Sequence, residues 1–284
     1  MLSLIIVNGR KLLWKDPCFG VCPFVKKAVS RIHFVASGKP VAQTILAELV
    51  ERYRIATLAD ADYVVAVGGD GTILQALHAS MPYGKPVFGM RVSGSRGLLG
   101  NILDLSGLPE RLKAASRLTF HPLEALVHRA GGGTVSLLGI NEIVLVRQGR
   151  QAAKLRLVVD GTELASCLTG DGVLVTLPLG SRAYNRSAGG PVLLPGSGLL
   201  ALTGLLPLPS NNWSNHVLLH DAVIAAEVLE PDYRRVKVEA GQETVDNAHH
   251  VRITRAPQIL TLLFDPSGRA WSRLEFDKAT TSAP

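Results

Sequence analysis

In the first third of the chain, short apolar runs alternate with segments in which apolar residues recur every three or four positions. The apolar runs, which predict buried strands, cover residues 32–36, 61–67 and 86–90. The segments between them, residues 40–53 and 73–80, have the spacing of amphipathic helices. Strand, helix, strand, helix, strand is the order typical of a parallel sheet with crossover helices.

After about residue 104 the pattern changes. A predicted helix around residues 108–115 is followed by short β-branched runs that glycines and polar clusters interrupt, which is typical of a β-sandwich or another β-rich unit. The clearest of these runs are residues 140–146, 155–159, 172–177, 217–219, 222–228 and 236–239.

These patterns predict an N-terminal, Rossmann-like α/β domain and a C-terminal, β-sandwich-like domain. We place the first at residues 29–105 and the second at 106–255. Residues 1–28, with two prolines and mixed character, form an extension of uncertain structure, and 277–284 a flexible tail. The return of residues 256–276 to the first domain rests on the family resemblance described below.

The net charge of +7 favours anionic partners. Aromatic residues are only 5% of the chain and no basic run is interleaved with them, so we expect no nucleic acid; a small molecule bearing several phosphates would use the same charge. No apolar stretch reaches the ~18–20 residues of a membrane helix, and we expect no membrane partner. Three cysteines, Cys18, Cys22 and Cys167, predict reduced thiols, not a zinc site, and a cytoplasmic protein.

A glycine-rich turn, Gly68–Thr72, stands where a predicted strand gives way to a helix. Backbone N–H groups and the helix start make such turns suitable for phosphate. A carboxylate there is unusual because it repels phosphate. Asp70 therefore serves either to hold a metal ion, to accept a proton from an attacking hydroxyl, or simply to cap the helix.

Three segments carry a resemblance to a known family. Gly68–Thr72 resembles the GGDGT motif shared by NAD kinases, diacylglycerol kinases and phosphofructokinases. Asn141-Glu142 resembles the "NE" motif of NAD kinases, and residues 171–191 resemble their DGxxxxTPTGSTAYxxSAGGP segment. Residues 147–156 are similar to a bacterial, alphaproteobacterial-like branch of that family. The resemblance covers about residues 31–265.

The resemblance implies a kinase that transfers a phosphoryl group from ATP or polyphosphate to the 2′-hydroxyl of the adenosine ribose of NAD. It implies Mg²⁺ or another divalent cation, without assigning metal ligands, and a homodimer or homotetramer. Asp70 would be catalytic, with Gly68, Gly69, Gly71 and Thr72 around the donor phosphates. The residues implied in NAD binding are Asn141, Glu142, Asp171, Ser181, Arg182, Ala183, Tyr184 and Ser187.

Several positions depart from the family pattern. Arg182 replaces a threonine, Arg91 an asparagine, Leu98 a phenylalanine and Arg186 a common leucine, and residues 240–242 read Ala-Gly-Gln where Asp-Gly-Gln is usual. The departures are compatible with a retuned kinase, with a degenerate paralogue that binds a dinucleotide without efficient catalysis, or with a kinase of a related lipid or nucleotide. We expect the Arg182 guanidinium to contact a phosphate, since burying it unpaired is costly.

Overall fold

The structure is a computed structural model that describes the backbone of residues 4–7 and 10–13 and all atoms of residues 30–92 and 99–265. Near the N-terminus, strands β1 (Leu4–Val7) and β2 (Arg10–Leu13) pair as an antiparallel ribbon. They lie within the predicted extension 1–28, whose other residues lie outside the described part, as do the predicted tail 277–284 and Leu98.

The first large sheet begins with three parallel strands. Its middle strand is buried along nearly its whole length, as a strand covered by helices on both faces must be. The elements that build this part of the chain are β3 (Ile32–Ala36), α1 (Pro40–Arg52), β4 (Tyr63–Gly68), α2 (Asp70–Ser80), a 3₁₀ turn (Met81–Tyr83), β5 (Val87–Arg91), α3 (Leu108–Ala114) and β6 (Ser116–Phe120).

Helix α1 follows the predicted amphipathic pattern. Pro40 stands at its first turn, where a missing N–H does no harm, and Ala42, Ile45 and Leu49 form its buried face. Helix α2 starts three residues earlier than the apolar spacing predicts, at Asp70, because its first turn is made of the polar glycine turn itself. The predicted catalytic carboxylate is therefore part of the helix start.

The second sheet has eleven antiparallel strands within the described residues. Their order is β11-β10-β15-β17-β16-β9-β12-β13-β14, with β7 and β8 attached to β17. The strands are β7 (Leu123–Arg129), β8 (Thr134–Gly139), β9 (Glu142–Arg147), β10 (Ala153–Val159), β11 (Thr162–Gly170), β12 (Gly172–Thr176), β13 (Leu199–Leu205), β14 (His216–Leu219), β15 (Ile224–Val228), β16 (Val236–Ala240) and β17 (Glu243–Arg255). Two short helical pieces, α4 (Tyr184–Ser187) and a 3₁₀ turn (Pro209–Asn211), lie between them.

This sheet curls around a large apolar core. Strand β17 is thirteen residues long and pairs with β15, β16 and β7, so it passes from one part of the sheet to the other. The core takes side chains from strands throughout the sheet, for example Leu145, Leu155, Val175, Leu202 and Val238. Alternation of buried and exposed residues along β16 and β17 directs one face inward.

The chain returns to the first sheet at β18 (Leu260–Phe264), which pairs in parallel with β5 and antiparallel with β6. Buried Asn101 joins these strands: its Nδ2 donates to the carbonyls of Gly89 and Leu263, both at 3.0 Å, and its Oδ1 accepts from the Asp265 amide at 2.8 Å. An ion pair between Arg111 and Asp265 joins helix α3 to the end of β18.

An α/β unit followed by an antiparallel β unit is confirmed, and the second unit is one curled sheet. Strand β6 lies in the first sheet although it follows residue 106; the division at residues 28, 105 and 255 stays a prediction. Of the helices in the described residues, none combines the length and apolar character needed to cross a membrane.

Candidate active site

The carboxylate of Asp70 stands at the carboxyl end of the parallel strands. The N-cap of α2 is Gly69, and no side chain caps this helix. Asp70 Oδ1 instead accepts a hydrogen bond of 3.0 Å from the amide of Leu99, on the segment that follows β5. The carboxylate is therefore held by a neighbouring segment at the start of a helix.

The glycines of this turn bring the helix directly onto the strand ends. A Cβ on Gly68 would lie 2.4 Å from Thr72 Oγ1, and one on Gly89 would lie 2.4 Å from Ile73 Cδ1. Both contacts are closer than side chains tolerate, so only glycine permits this approach. A Cβ on Gly71 would meet nothing within 4 Å, so this face of the turn is open to a ligand.

An apolar cluster joins the β unit to helix α2. Ile140 and Leu179, each in a loop of the β unit, pack with Ile73, Ala76 and Leu77 of α2. All five side chains are buried. Because the residues next to Ile140 and Leu179 are the predicted dinucleotide-binding residues, this cluster sets them against the helix that carries Asp70.

Glu142 is the first residue of β9 and Asn141 directly precedes it. The carbonyl of Asn141 accepts from Thr176 Oγ1 at 3.0 Å and from the Leu177 amide at 2.8 Å, which fixes the segment to the end of β12. Two side-chain oxygens, Asn141 Oδ1 and Glu142 Oε2, are buried and have no hydrogen-bond partner within the described residues. Buried acceptors of this kind are rare in folded proteins unless a ligand completes them.

Burial raises the pKa of Glu142 from its ordinary value of 4.5 to about 7. The cause is the loss of water around the carboxylate, which penalises the charged form. A ligand that donates hydrogen bonds to this group would favour the charged form again. Glu142 is thus prepared to accept hydrogen bonds from donors such as sugar hydroxyls.

Gly180 lies against the side chains of Glu142 and Thr176 and the backbone of Asn141. A Cβ at this position would lie 2.5 Å from both Glu142 Oε2 and Thr176 Oγ1, and 2.8 Å from the carbonyl oxygen of Asn141. The last contact is with backbone, which cannot move aside like a flexible side chain. A small-residue loop is therefore a steric requirement of the site.

We expect Gly180→Ala to lower the free energy of unfolding by about 1–3 kcal/mol, as overpacking of a close contact does. We also expect weaker dinucleotide binding, since the displaced groups are Asn141 and Glu142. Urea unfolding and calorimetric titration would measure the two effects. As a matched control, Gly38→Ala adds a Cβ where nothing lies within 4 Å, and this change should leave binding unaltered. Equal affinities of Gly180→Ala and the parent for the dinucleotide would contradict the proposal that Gly180 lies next to the binding site.

The loop after Gly180 is fixed from within. Ser181 is fully buried; its hydroxyl donates to the carbonyl of Pro178 at 2.7 Å and accepts from the Leu193 amide at 3.0 Å. Asn185 is also buried, and its amide donates to the carbonyls of Ser181 and Pro191 while its Oδ1 accepts from Thr203. The Ser181 hydroxyl therefore makes its hydrogen bonds within the loop. Ser181 would contribute to NAD binding by fixing the shape of the loop.

Ala183, Tyr184 and Ser187 are on the outer side of the loop. Tyr184 is 45% exposed, so it is not part of the apolar core. Ala183 and Ser187 are exposed as well, and the Ser187 hydroxyl reaches only the carbonyl of Ala183, at 3.5 Å. These residues offer a flat apolar surface and polar atoms to a ligand that lies over the loop.

Arg182 interacts electrostatically with Asp70. Its Nε is buried and has no hydrogen-bond partner within the described residues. Burial and the like charge of Arg186 lower the pKa of Arg182, and the opposite charge of Asp70 raises it. The guanidinium therefore lies within electrostatic range of the predicted catalytic carboxylate, on the opposite side of the junction between the two units.

Asp171 does not join this group of residues. It precedes β12, whereas the loop with Gly180 follows the other end of that strand, about 16 Å away at the usual rise per residue. There it forms an ion pair with Arg147. None of the other predicted NAD-binding residues lies at this end of β12, so the contact of Asp171 with NAD stays a prediction.

Other predicted features are distributed around the site. Arg91 ends β5 and is paired in register with Gly68, at the same edge as the glycine turn. Gly241 and Gln242 form the turn between β16 and β17.

Within the described residues, no three His, Cys, Asp or Glu side chains converge as ligands of one metal ion. Sequence reasoning missed Thr176 and Asn185, although both lie in the motif segment 171–191.

The chain is similar to known proteins along most of its length. Residues 27–118 match the family model of the ATP-NAD kinase N-terminal domain, and residues 140–255 match that of the ATP-NAD kinase C-terminal domain. An NAD kinase of Hyphomonas neptunium is 41% identical over 237 residues, which cover 83% of this chain and 92% of the relative. An NAD kinase of Brucella suis is 40% identical over 82% of this chain and 91% of the relative.

Two solved structures share the fold. An NAD kinase from Archaeoglobus fulgidus in complex with ATP superposes with a TM-score of 0.69 at 24% identity, covering 89% of this chain and 100% of that one. A yeast NADH kinase complexed with NADH superposes with a TM-score of 0.75 at 16% identity, covering 100% of this chain and 94% of that one.

Proposed function

The chain belongs to the NAD kinase family, and from that premise we propose that it transfers a phosphoryl group from ATP, or from polyphosphate, to the 2′-hydroxyl of the adenosine ribose of NAD. The product is NADP. The buried atoms without partners in the motif segments belong to amide, carboxylate and guanidinium groups, which suit a polar acceptor better than a lipid.

The observation that carries the proposal is the pair of unsatisfied acceptors that follow Ile140, a residue of the same apolar cluster as helix α2. Asn141 Oδ1 and Glu142 Oε2 are buried without a partner in the described residues, and Glu142 Oε2 lies close to Gly180. An adenosine unit supplies the matching donors, namely an amino group on the base and two hydroxyls on the ribose. Glu142 would accept from ribose hydroxyls and Asn141 from the base, with Tyr184 as a wall for the remaining dinucleotide.

In the proposed reaction, Asp70 takes the proton of the reacting hydroxyl. As the ribose 2′-oxygen attacks the terminal phosphorus of the donor, the bond from that phosphorus to the bridging oxygen breaks and ADP leaves. Asp70 accepts the hydroxyl proton, which prevents the build-up of positive charge on the attacking oxygen. The Leu99 amide holds one oxygen of the carboxylate, leaving the group in a defined orientation.

The donor phosphates would lie over the glycine turn. The first N–H groups of an α-helix lack partners within the helix and carry the positive end of its dipole. At α2 these groups follow Gly69, and the side of Gly71 is open. The turn therefore provides room and donors for phosphate oxygens without a bulky side chain in between.

A divalent cation suits the same site. Mg²⁺ takes oxygen ligands, and in phosphoryl-transfer sites it is held by one or two carboxylates, waters and the substrate phosphates. The described residues supply the carboxylate of Asp70 but no cluster of three ligands, which matches a cation carried mainly by the donor. When bound, the cation neutralises negative charge on the transferred phosphoryl group.

The test is NADP formation from NAD by the purified full chain with Mg²⁺, using ATP in one reaction and polyphosphate in another. An NADP-specific dehydrogenase reports the product. NADP that appears only with enzyme, donor and NAD together supports the proposal. Tight NAD binding without product would favour a degenerate paralogue, and neither binding nor product would contradict the proposal. The cytoplasmic location and the homo-oligomeric state stay predictions.

A further inference from the structure

Arg182 is a partly buried cation with no hydrogen-bond partner of its own in the described residues. It makes no hydrogen bond and no ion pair within the described residues, and its Nε is shielded from solvent. Arg186, four residues along the chain, adds a second positive charge close enough to lower the pKa of Arg182. The residue is partly exposed, so a ligand can still reach its guanidinium.

This environment is unfavourable in the ligand-free protein. Desolvating a guanidinium without a compensating hydrogen bond costs free energy, and a neighbouring like charge adds to that cost. Asp70 offsets only part of it, because the pKa of Arg182 is lowered overall. An anion in contact with both arginines would relieve both penalties, so the site is arranged for one.

The position of Arg182 indicates which phosphate group could be the anion that it binds. Under the proposed function, Asp70 marks the place of the ribose 2′-oxygen, and Arg182 is within electrostatic range of Asp70. The group that occupies this place is the phosphoryl group while it is being transferred, and the 2′-phosphate once transfer is complete. NAD has no phosphate here, because its pyrophosphate lies on the 5′ side of the ribose.

We propose that Arg182 binds the phosphoryl group at the 2′-oxygen, so that the protein holds its product NADP more tightly than NAD. The inference rests on the proposed function, which defines where the 2′-oxygen lies. A guanidinium is suited to this role because its planar fork matches two phosphate oxygens. The same contact stabilises charge in the transition state and delays release of the product.

Calorimetric titration with NAD and NADP tests the proposal without any turnover. In the parent protein NADP should bind more tightly than NAD. In Arg182→Thr, we expect affinity for NADP to fall by roughly tenfold to a hundredfold, the size of a charge-assisted hydrogen bond, while affinity for NAD changes little. Arg182→Lys keeps the charge but loses the fork, and should fall in between.

Two controls separate specific binding from general charge effects. Arg150→Thr removes the same charge from an exposed position beyond the far end of β9, and should leave the ratio of the two affinities unchanged. Adenosine 2′-phosphate and adenosine 5′-phosphate carry the same charge, and only the first should lose affinity in Arg182→Thr. Equal losses for both nucleotides, or an unchanged ratio in Arg182→Thr, would overturn the proposal.

Thermal unfolding of the ligand-free proteins gives an independent readout. Because Arg182 is unfavourable in the absence of an anion, Arg182→Thr should melt at the same temperature as the parent or higher, and NADP should raise its melting temperature less. A large decrease without ligand would show a structural role instead. If the parent makes no NADP from NAD, the proposed function fails; if it does and the affinity ratio is unaltered by Arg182→Thr, only this inference fails.

Discussion

Asp70→Asn should bind NAD like the parent protein but form NADP about 10²–10⁴-fold more slowly, the usual contribution of a positioned base. The amide keeps an oxygen that can accept the hydrogen bond from the Leu99 amide, so the segment after β5 stays in place. It cannot accept the proton of the ribose hydroxyl. Single-turnover measurement of NADP formation at saturating NAD and donor isolates the chemical step.

The size of this loss depends on the fold being intact, so two controls accompany it. Asp232→Asn removes an equal charge from an exposed turn between β15 and β16, and its turnover should match that of the parent. Thermal unfolding of Asp70→Asn should agree with the parent within a few degrees. Turnover within a few-fold of the parent would remove Asp70 from the mechanism and leave it a structural role.

The first sheet was predictable because its pattern is local. Each strand of residues 32–91 is a single apolar run, and each helix has one apolar face, so neighbours in sequence are neighbours in the sheet. Strands β6 and β18 were not predicted there from pattern, since they are separated by more than a hundred residues. Pairing over such distances leaves no periodic signal in the chain.

The site was predictable as a set of segments but not as a geometry. The motifs identify Asp70, Asn141 and Glu142, and the structure brings them to one junction through the cluster around Ile140 and Leu179. A motif cannot show which end of a strand a residue occupies. Asp171 and Gly180 belong to the same motif, yet β12 places them at opposite ends. Burial of Glu142, which controls its pKa, is likewise a property of the packed structure alone.

Glu142→Gln should stabilise the ligand-free protein at neutral and higher pH. The folded-state pKa of Glu142 is about 7 against an ordinary 4.5, so between these values the folded protein holds more protons than the unfolded chain. Its free energy of unfolding therefore falls as pH rises through this window, and the loss is complete above about pH 7. At 1.36 kcal/mol per pH unit, the loss from Glu142 is about 3 kcal/mol.

Urea unfolding at several pH values measures this loss. The glutamine variant should exceed the parent by up to about 3 kcal/mol near pH 8 and be close to it near pH 5, where the folded parent is already neutral at this site. Glu51→Gln, on the exposed face of α1, is the matched control and should follow the parent at every pH. Parallel curves for Glu142→Gln and the parent would show that the carboxylate is not destabilised by burial.

Binding of NAD should reverse the effect, since ribose hydroxyls that donate to Glu142 favour its charged form. Affinity for NAD should therefore decrease below about pH 7, by at most tenfold per pH unit, and binding at or below this pH should release a proton. Calorimetric titration in buffers of different ionisation enthalpy detects that proton. In Glu142→Gln the proton release should disappear and NAD affinity should fall by about 1.5–3 kcal/mol, the contribution of hydrogen bonds to a charged group. A variant that is more stable yet binds NAD less well is the expected result for a carboxylate kept buried because the ligand needs it.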